Sequence, residues 1–288
     1  MLHPITGVSI ISSITSSGKV MKNIEGLAPK YDIYGRPKHY AGRNGILFEV
    51  FIDGKLHALK CYTQPFVNGE ALCAYIKAHP SNRLPMPTFY PQELLAPTIT
   101  DFEWVDVCLY PWLEGTSLDF EIKRGAHNHD TATLLRLSKE FAALSLDILN
   151  SPWRHGDIKP ENIIVTPEGK MQLVDIDALW APSLPPCTEV GTHDFVHPLR
   201  GANRDEHIDD YSIALILTNL HSLALTHYPE TVIKGLQFTA SEALRGEPSF
   251  QQAVEAVAHN PALGELCRAL ADTTTYKIDN LKEILNNV

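Results

Sequence analysis

Asp157, Lys159, Asn162 and Asp175 fall within nineteen residues of one another, in His155-Gly-Asp-Ile-Lys-Pro-Glu-Asn162 and Val174-Asp-Ile-Asp177. A carboxylate and an amide oxygen that converge suit Mg²⁺, a hard cation that takes few protein ligands and fills its shell with phosphate oxygens and water. A second carboxylate nearby could orient a hydroxyl nucleophile, and a lysine could neutralise a phosphoryl group in transfer. Those are the parts that phosphoryl transfer requires.

Convergence of these groups depends on a hairpin. Ile163-Ile-Val165 reads as a strand, Thr166-Pro-Glu-Gly169 as a turn, and Met171-Gln-Leu-Val174 as the returning strand. Paired strands lie about 5 Å apart, so Asn162 and Asp175 are expected side by side, with Asp157 and Lys159 on the loop before them. Upstream, Leu134, Leu137, Phe141, Leu144 and Ile148 repeat at three and four, an amphipathic helix that leads straight into the loop.

A second hairpin precedes that helix. Ile46–Ile52 and Lys55–Tyr62 flank Asp53-Gly54, a two-residue turn signal. In that register Ile52 faces Lys55 and Leu47 faces Lys60, so Leu47, Ala58 and Lys60 line one surface. A lysine in the middle of an apolar strand needs a reason, because lysine is rarely buried unpaired. Residues 1–38 are mixed; Ser12 to Gly18 reads as loop or weak strand, and the segment is set apart as an N-terminal extension without an assigned role.

The stretch His155 to Asn162, with Asp175-Ile-Asp177, resembles the H-R-D-x-K-x-x-N loop and D-F-G triplet of the eukaryotic-type protein kinase family. The likeness runs from about Gly42 to Ala224, and from Leu173 to Arg200 it looks like a bacterial kinase-like branch. It implies an α+β, two-lobed kinase-like fold: a small antiparallel β N-lobe over residues 39–113 and a larger, mainly α C-lobe over 114–288. ATP and Mg²⁺ would occupy the cleft. Asp157 would act on the acceptor hydroxyl, Lys159 on the γ-phosphate, and Asn162 and Asp175 on Mg²⁺. Ala58-Leu-Lys60 resembles the A-x-K motif, in which the small residue lines the adenine and the lysine holds the α- and β-phosphates. Gly42-Arg-Asn-Gly45-Ile-Leu47 resembles the end of the glycine-rich loop, with Tyr40 where the first glycine would stand. Tyr110-Pro111-Trp112-Leu113 resembles the hinge, in which the Pro111 carbonyl and the Leu113 N–H would meet the adenine. Glu70 is the acid available to pair with Lys60, or else a first-turn acid favoured by the helix dipole. Glu189 to Pro198 resembles the end of an activation segment. Thr192 would bond near Asp157 and Lys159, and Asp209 would brace the loop backbone.

Departures from the pattern are specific. Gly156 replaces the arginine of H-R-D, Asp177 the last glycine of D-F-G, His197 the alanine and Leu199 the glutamate of A-P-E. The expected activity is phosphorylation of Ser/Thr hydroxyls of a protein. The alternatives are a pseudokinase that binds nucleotide and partners, and a small-molecule kinase of the aminoglycoside or choline type, which also uses His-Gly-Asp and Asp-x-Asp.

Composition bounds this reading. The chain has 288 residues, 44% hydrophobic and 20% charged, as a globular protein with a real core would have. A net charge of −10 argues against a nucleic-acid face and against an anionic membrane surface. Five scattered cysteines without a C-x-x-C pair argue against a zinc site and suggest reduced thiols in a cytoplasmic compartment. The apolar run Ile213–Leu225 is too short and too polar to span a bilayer, and no leader pattern opens the sequence. Ser17-Gly18-Lys19 lacks the rest of a Walker loop. His193, His197 and His207 have no neighbouring cysteine or carboxylate spacing of a metal site.

Overall fold

Alternation of apolar residues along two adjacent strands builds the first part of the molecule. The computed structural model describes residues 5–16, 20–187, 189–226 and 235–288; the Ser17-Gly18-Lys19 tripeptide and Thr188 lie outside them. The chain divides into two compact units, Met1–Ser81 with Pro85–Trp112, and Asn82–Leu84 with Leu113–Val288.

The first unit contains helix α1 (Gly7–Thr15), strands β1 (Ala28–Pro29), β2 (His39–Ala41), β3 (Gly45–Ile52) and β4 (Lys55–Tyr62), helix α2 (Gly69–Ala78), and strands β5 (Thr88–Pro97) and β6 (Phe102–Pro111). They form an antiparallel sheet in the order β1-β3-β4-β6-β5, with β2 also on the outer edge of β3. The β3–β4 turn has Asp53 and Gly54 both at positive φ, 49° and 73°, as a tight two-residue hairpin of matching twist requires. Its register pairs Ile52 with Lys55 and Leu47 with Lys60, as read from the sequence. Ile46, Phe48 and Val50 therefore share the core face with Leu59 and Cys61, joined there by Leu94, Ala96, Val105 and Val107.

The expectation of loop or weak strand for residues 12–18 is overturned for its described part. Residues 7–15 form α1, whose Ile10 and Ile14 enter the same core. Thr6 caps the helix by accepting from Ser9 N–H, and Ser13 Oγ donates to Leu95 O at 2.8 Å. Serine and β-branched residues have weak helix propensity, so the helix is selected by its apolar stripe against the sheet. The Glu93 carboxylate, fully buried, then accepts from Asn23 N–H at 2.6 Å and Ile24 N–H at 2.7 Å, which ties the following segment to β5. Ile5, Ile10, Ile14 and Ile24, from the segment set apart as an extension, thus belong to the first unit's core.

The second unit opens with β7 (Thr116–Ser117), α3 (Leu118–His127) and α4 (Thr131–Asn150), the amphipathic helix expected before the loop. Next come β8 (Ile163–Val165) and β9 (Met171–Leu173), which with β7 form a three-stranded antiparallel sheet. Helices α5 (Asp210–Leu225), α6 (Ala240–Arg245), α7 (Pro248–Val257), α8 (Pro261–Ala271) and α9 (Leu281–Leu285) complete it. Helix α5 is buried on nearly every side, and Asn219 is satisfied internally: its Oδ1 accepts from Gln237 N–H and Phe238 N–H. Among the described residues no helix is long and apolar enough to cross a membrane.

Candidate active site

The loop that carries Asp157 is held at nearly every peptide. Asp209, 1% exposed and immediately ahead of α5, accepts from His155 N–H at 2.6 Å and Gly156 N–H at 2.8 Å. His155 is fully buried; its Nδ1 accepts from Asp157 N–H at 3.3 Å, which leaves the ring proton on Nε2 to donate to Val174 O at 2.9 Å. The imidazole thereby connects the loop to the returning end of the β8–β9 hairpin. A 3₁₀ turn, Pro160–Asn162, then feeds the chain into β8.

Within that frame the polar side chains form one connected group. Asn162 Nδ2 donates to Asp157 O at 2.9 Å and to Asp157 Oδ2 at 3.2 Å. Lys159 Nζ lies 3.2 Å from the same Oδ2 and donates to Thr192 Oγ1 at 3.0 Å. Asp157 Oδ1 has no hydrogen-bond partner among the described residues. The carboxylate is therefore oriented through Oδ2. Through Lys159, Thr192 joins the 189–200 segment to this group.

The hairpin differs by one residue from the simplest expectation. Ile163 pairs with Leu173, so Val174 faces Asn162, with Val174 N–H donating to Asn162 O at 2.9 Å. Asp175 follows one residue beyond, in the left-handed region at φ 57° and ψ 61°, and starts the 3₁₀ turn Ile176–Ala178. A non-glycine residue held there is uncommon, and such conformations gather where a side chain must be aimed. Because Asn162 Nδ2 is spent on Asp157, the amide oxygen is the group left for a cation. Both side chains carry oxygen donors, the donor type that Mg²⁺ takes.

Gly156 is required by its surroundings. Its φ is +82°, and a Cβ there would stand 2.3 Å from Ala178 O. Arg154, the nearest arginine in sequence, is committed elsewhere. Its Nη1 donates to Ile148 O, Ser151 O and Trp153 O at 2.8–3.0 Å, and its Nε to Glu206 O at 2.6 Å. It closes the C-terminal end of α4, where carbonyls lack helical partners.

In the first unit, Leu47, Ala58 and Lys60 do share a face of the sheet, and Ala58 and Lys60 pair across to Tyr110 and Cys108 of β6. Lys60 is 9% exposed, with Nζ 5.5 Å from the centre of the Tyr62 ring. Gly42 N–H donates to Gly45 O at 2.9 Å and closes a tight turn. Gly45 admits no side chain, because a Cβ would stand 2.1 Å from Cys61 O. Glu70 is exposed in the first turn of α2. Pro111 ends β6 opposite His57, and Leu113, half-buried, begins the second unit's longer segment.

One feature of that face went unread in the sequence. Glu49, opposite Ala58, is fully buried and holds Lys30 at 2.6 Å, Lys38 at 2.5 Å and the Tyr40 hydroxyl at 2.7 Å. Lys30 and Lys38 outweigh the desolvation cost and hold its carboxyl below the usual range. An acid inside the apolar run Ile46–Ile52 was a signal for it, by the same rule that singled out Lys60.

No protein-family model and no curated protein matches the chain.

Proposed function

We propose that this chain is a phosphotransferase of protein kinase-like fold that uses Mg²⁺-ATP to phosphorylate Ser/Thr hydroxyls of a protein. The observation that carries the reading is the connected group Asp157–Asn162–Lys159–Thr192, in which the carboxylate is oriented through Oδ2. The two-unit division and the antiparallel sheet of the first unit support the fold half of the reading.

The chemistry follows from those residues. The acceptor oxygen attacks the γ-phosphorus, the bond to the β-phosphate oxygen breaks, and ADP leaves. Asp157 aligns the hydroxyl and takes its proton late. Lys159 stabilises the charge on the phosphoryl oxygens, and Thr192 fixes its ammonium. Asn162 and Asp175 would hold Mg²⁺, which neutralises phosphate charge. Lys60 would hold the α- and β-phosphates, and Leu47, Ala58, Pro111 and Leu113 would line the adenine, with Gly42 and Gly45 shaping the loop above it.

A pseudokinase is the second reading, and Tyr40, Asp177 and Leu199, which stand where the kinase pattern has glycine, glycine and glutamate, favour it. Ligand-dependent melting and turnover distinguish the two. Millimolar Mg²⁺-ATP should raise the melting temperature of the wild type, and Lys60→Ala and Asp175→Ala should each abolish the rise. A folded wild type with no shift refutes both readings; a shift without turnover on any hydroxyl acceptor selects the pseudokinase.

A further inference from the structure

Position 156 cannot carry a side chain, yet a guanidinium group reaches it from another direction. Arg200 stands at the end of the 3₁₀ turn Pro198–Arg200 and is 2% exposed. Its Nη2 donates to Gly156 O at 2.7 Å, the guanidinium's one hydrogen bond among the described residues. The oxygen so held belongs to the peptide group whose N–H is that of Asp157, and that N–H donates to His155 Nδ1. Asp209 holds the preceding peptide by Gly156 N–H. A carboxylate on one side and a guanidinium on the other thus fix the two peptides ahead of Asp157, each matched in sign to the group it meets.

Room for this guanidinium is made by a second glycine. Gly191 has φ +77°, and a Cβ there would stand 2.7 Å from Arg200 Nη1 and 3.1 Å from Gly156 O. Burial disfavours the arginine's charge and lowers its pKa, and the neighbouring Arg204 adds to that, while Asp209 and Asp157 oppose it. A buried cation of this kind persists when fixed negative groups surround it. The segment that begins at Gly191 is therefore tied to the loop twice, by Thr192 to Lys159 and by Arg200 to Gly156.

We propose that Arg200 is a positioning residue which, from the far end of the 189–200 segment, fixes the peptide ahead of Asp157 and keeps loop and segment engaged with no phosphate group on the segment. Its catalytic consequence rests on the phosphotransferase reading; its structural consequence does not.

The test uses the full chain, phosphatase-treated, as wild type, Arg200→Lys, Arg200→Gln and Arg200→Ala. Amide exchange is followed in peptides covering residues 154–158 and 189–197, with Mg²⁺-ATP melting shifts and steady-state kinetics in parallel. Losing a charge-assisted hydrogen bond in Arg200→Gln should speed exchange in both peptides about 10- to 100-fold, with Arg200→Lys in between. The Mg²⁺-ATP melting shift and the KM for ATP should stay within about two-fold, while kcat falls about 10-fold or more. Millimolar guanidinium should restore part of the loss in Arg200→Ala and have no such effect on wild type, a rescue that a purely space-filling role would not show. A folded Arg200→Gln with unchanged exchange in both peptides overturns the proposal. If Arg200→Gln does not fold, Arg200→Lys decides by the same exchange readout, and wild-type exchange there overturns it. A wild type without phosphotransfer sinks the functional reading, and the exchange result still decides the role of Arg200.

Discussion

Replacing Asp209 by asparagine is the sharpest test of how the Asp157 loop is held. Asp209 accepts two backbone hydrogen bonds, 2.6 Å from His155 N and 2.8 Å from Gly156 N, and is 1% exposed. Asparagine has nearly the same shape but offers one oxygen. One of the two N–H groups must then face an NH₂ in a dry site, and Arg200 loses its largest compensating charge. A hydrogen bond to a charged group is worth about 1.5–3 kcal/mol, and a buried donor left unmet costs about 1–3 kcal/mol more. The expected loss is therefore about 2.5–6 kcal/mol, against about 5–15 kcal/mol for a whole domain. With a urea slope of about 2–3 kcal/mol per molar, the unfolding midpoint should fall by about 1–3 M. Asp279→Asn, at an exposed position, is the control and should change stability by no more than about 0.5 kcal/mol. Urea unfolding followed by tryptophan fluorescence reads the change, because Trp153, 2% exposed, sits beside the loop in sequence. An Asp209→Asn midpoint within about 0.2 M of wild type, at unchanged slope, would refute the reasoning: the two N–H groups would then not depend on that carboxylate.

On the proposed reading, Asp157→Ala should lower kcat by about 100-fold or more and leave the Mg²⁺-ATP melting shift in place, since Asp157 would act on the acceptor and not on the nucleotide; wild-type turnover would show that another group takes the proton. Phosphatase treatment should leave the phosphotransfer rate unchanged, because Gly156 has no side chain to read a phosphate and Arg154 is spent on α4 carbonyls. Ser183, Thr188 and Thr192 are the sites to follow by mass spectrometry, and a large loss of rate on dephosphorylation would defeat the argument. His221, bonded to Ser138 Oγ at 3.0 Å, has its pKa pushed by burial from 6.5 down to about 4. The unfolded chain therefore takes up this proton first, so the associated stability is present above about pH 6.5 and is lost as pH falls toward 4. Comparing urea midpoints at pH 7.5 and 4.5, His221→Gln should lose about 2 kcal/mol less than wild type, and equal losses would exclude the assignment.

Elements dictated by neighbouring residues were legible in the sequence. Asp53-Gly54 accepts positive φ at both positions, which leaves one register for β3 and β4 and places Leu47 opposite Lys60 before any tertiary contact is known. The three-and-four repeat of Leu134 to Ile148 likewise specifies the buried face of α4. The spacing of Asp157, Lys159 and Asn162 puts them on one short loop, because three intervening residues cannot carry them far apart. Groups that meet only across the fold were decided by tertiary structure. Helix α1 has weak intrinsic propensity and exists because Ile10 and Ile14 find the sheet. Glu49 gave a sign that it needed partners but not that they would be Lys30, Lys38 and Tyr40, since a buried charge selects its partners by proximity and not by spacing. The same holds at the loop: Gly156 showed that no side chain stands there, but only the packing of Gly191 against Gly156 shows that Arg200, forty-four residues on, reaches the peptide that Arg154, two residues before, does not. A left-handed glycine without a Cβ leaves space that a distant guanidinium can occupy, and the chain's path, not its local pattern, determines which side chain arrives there.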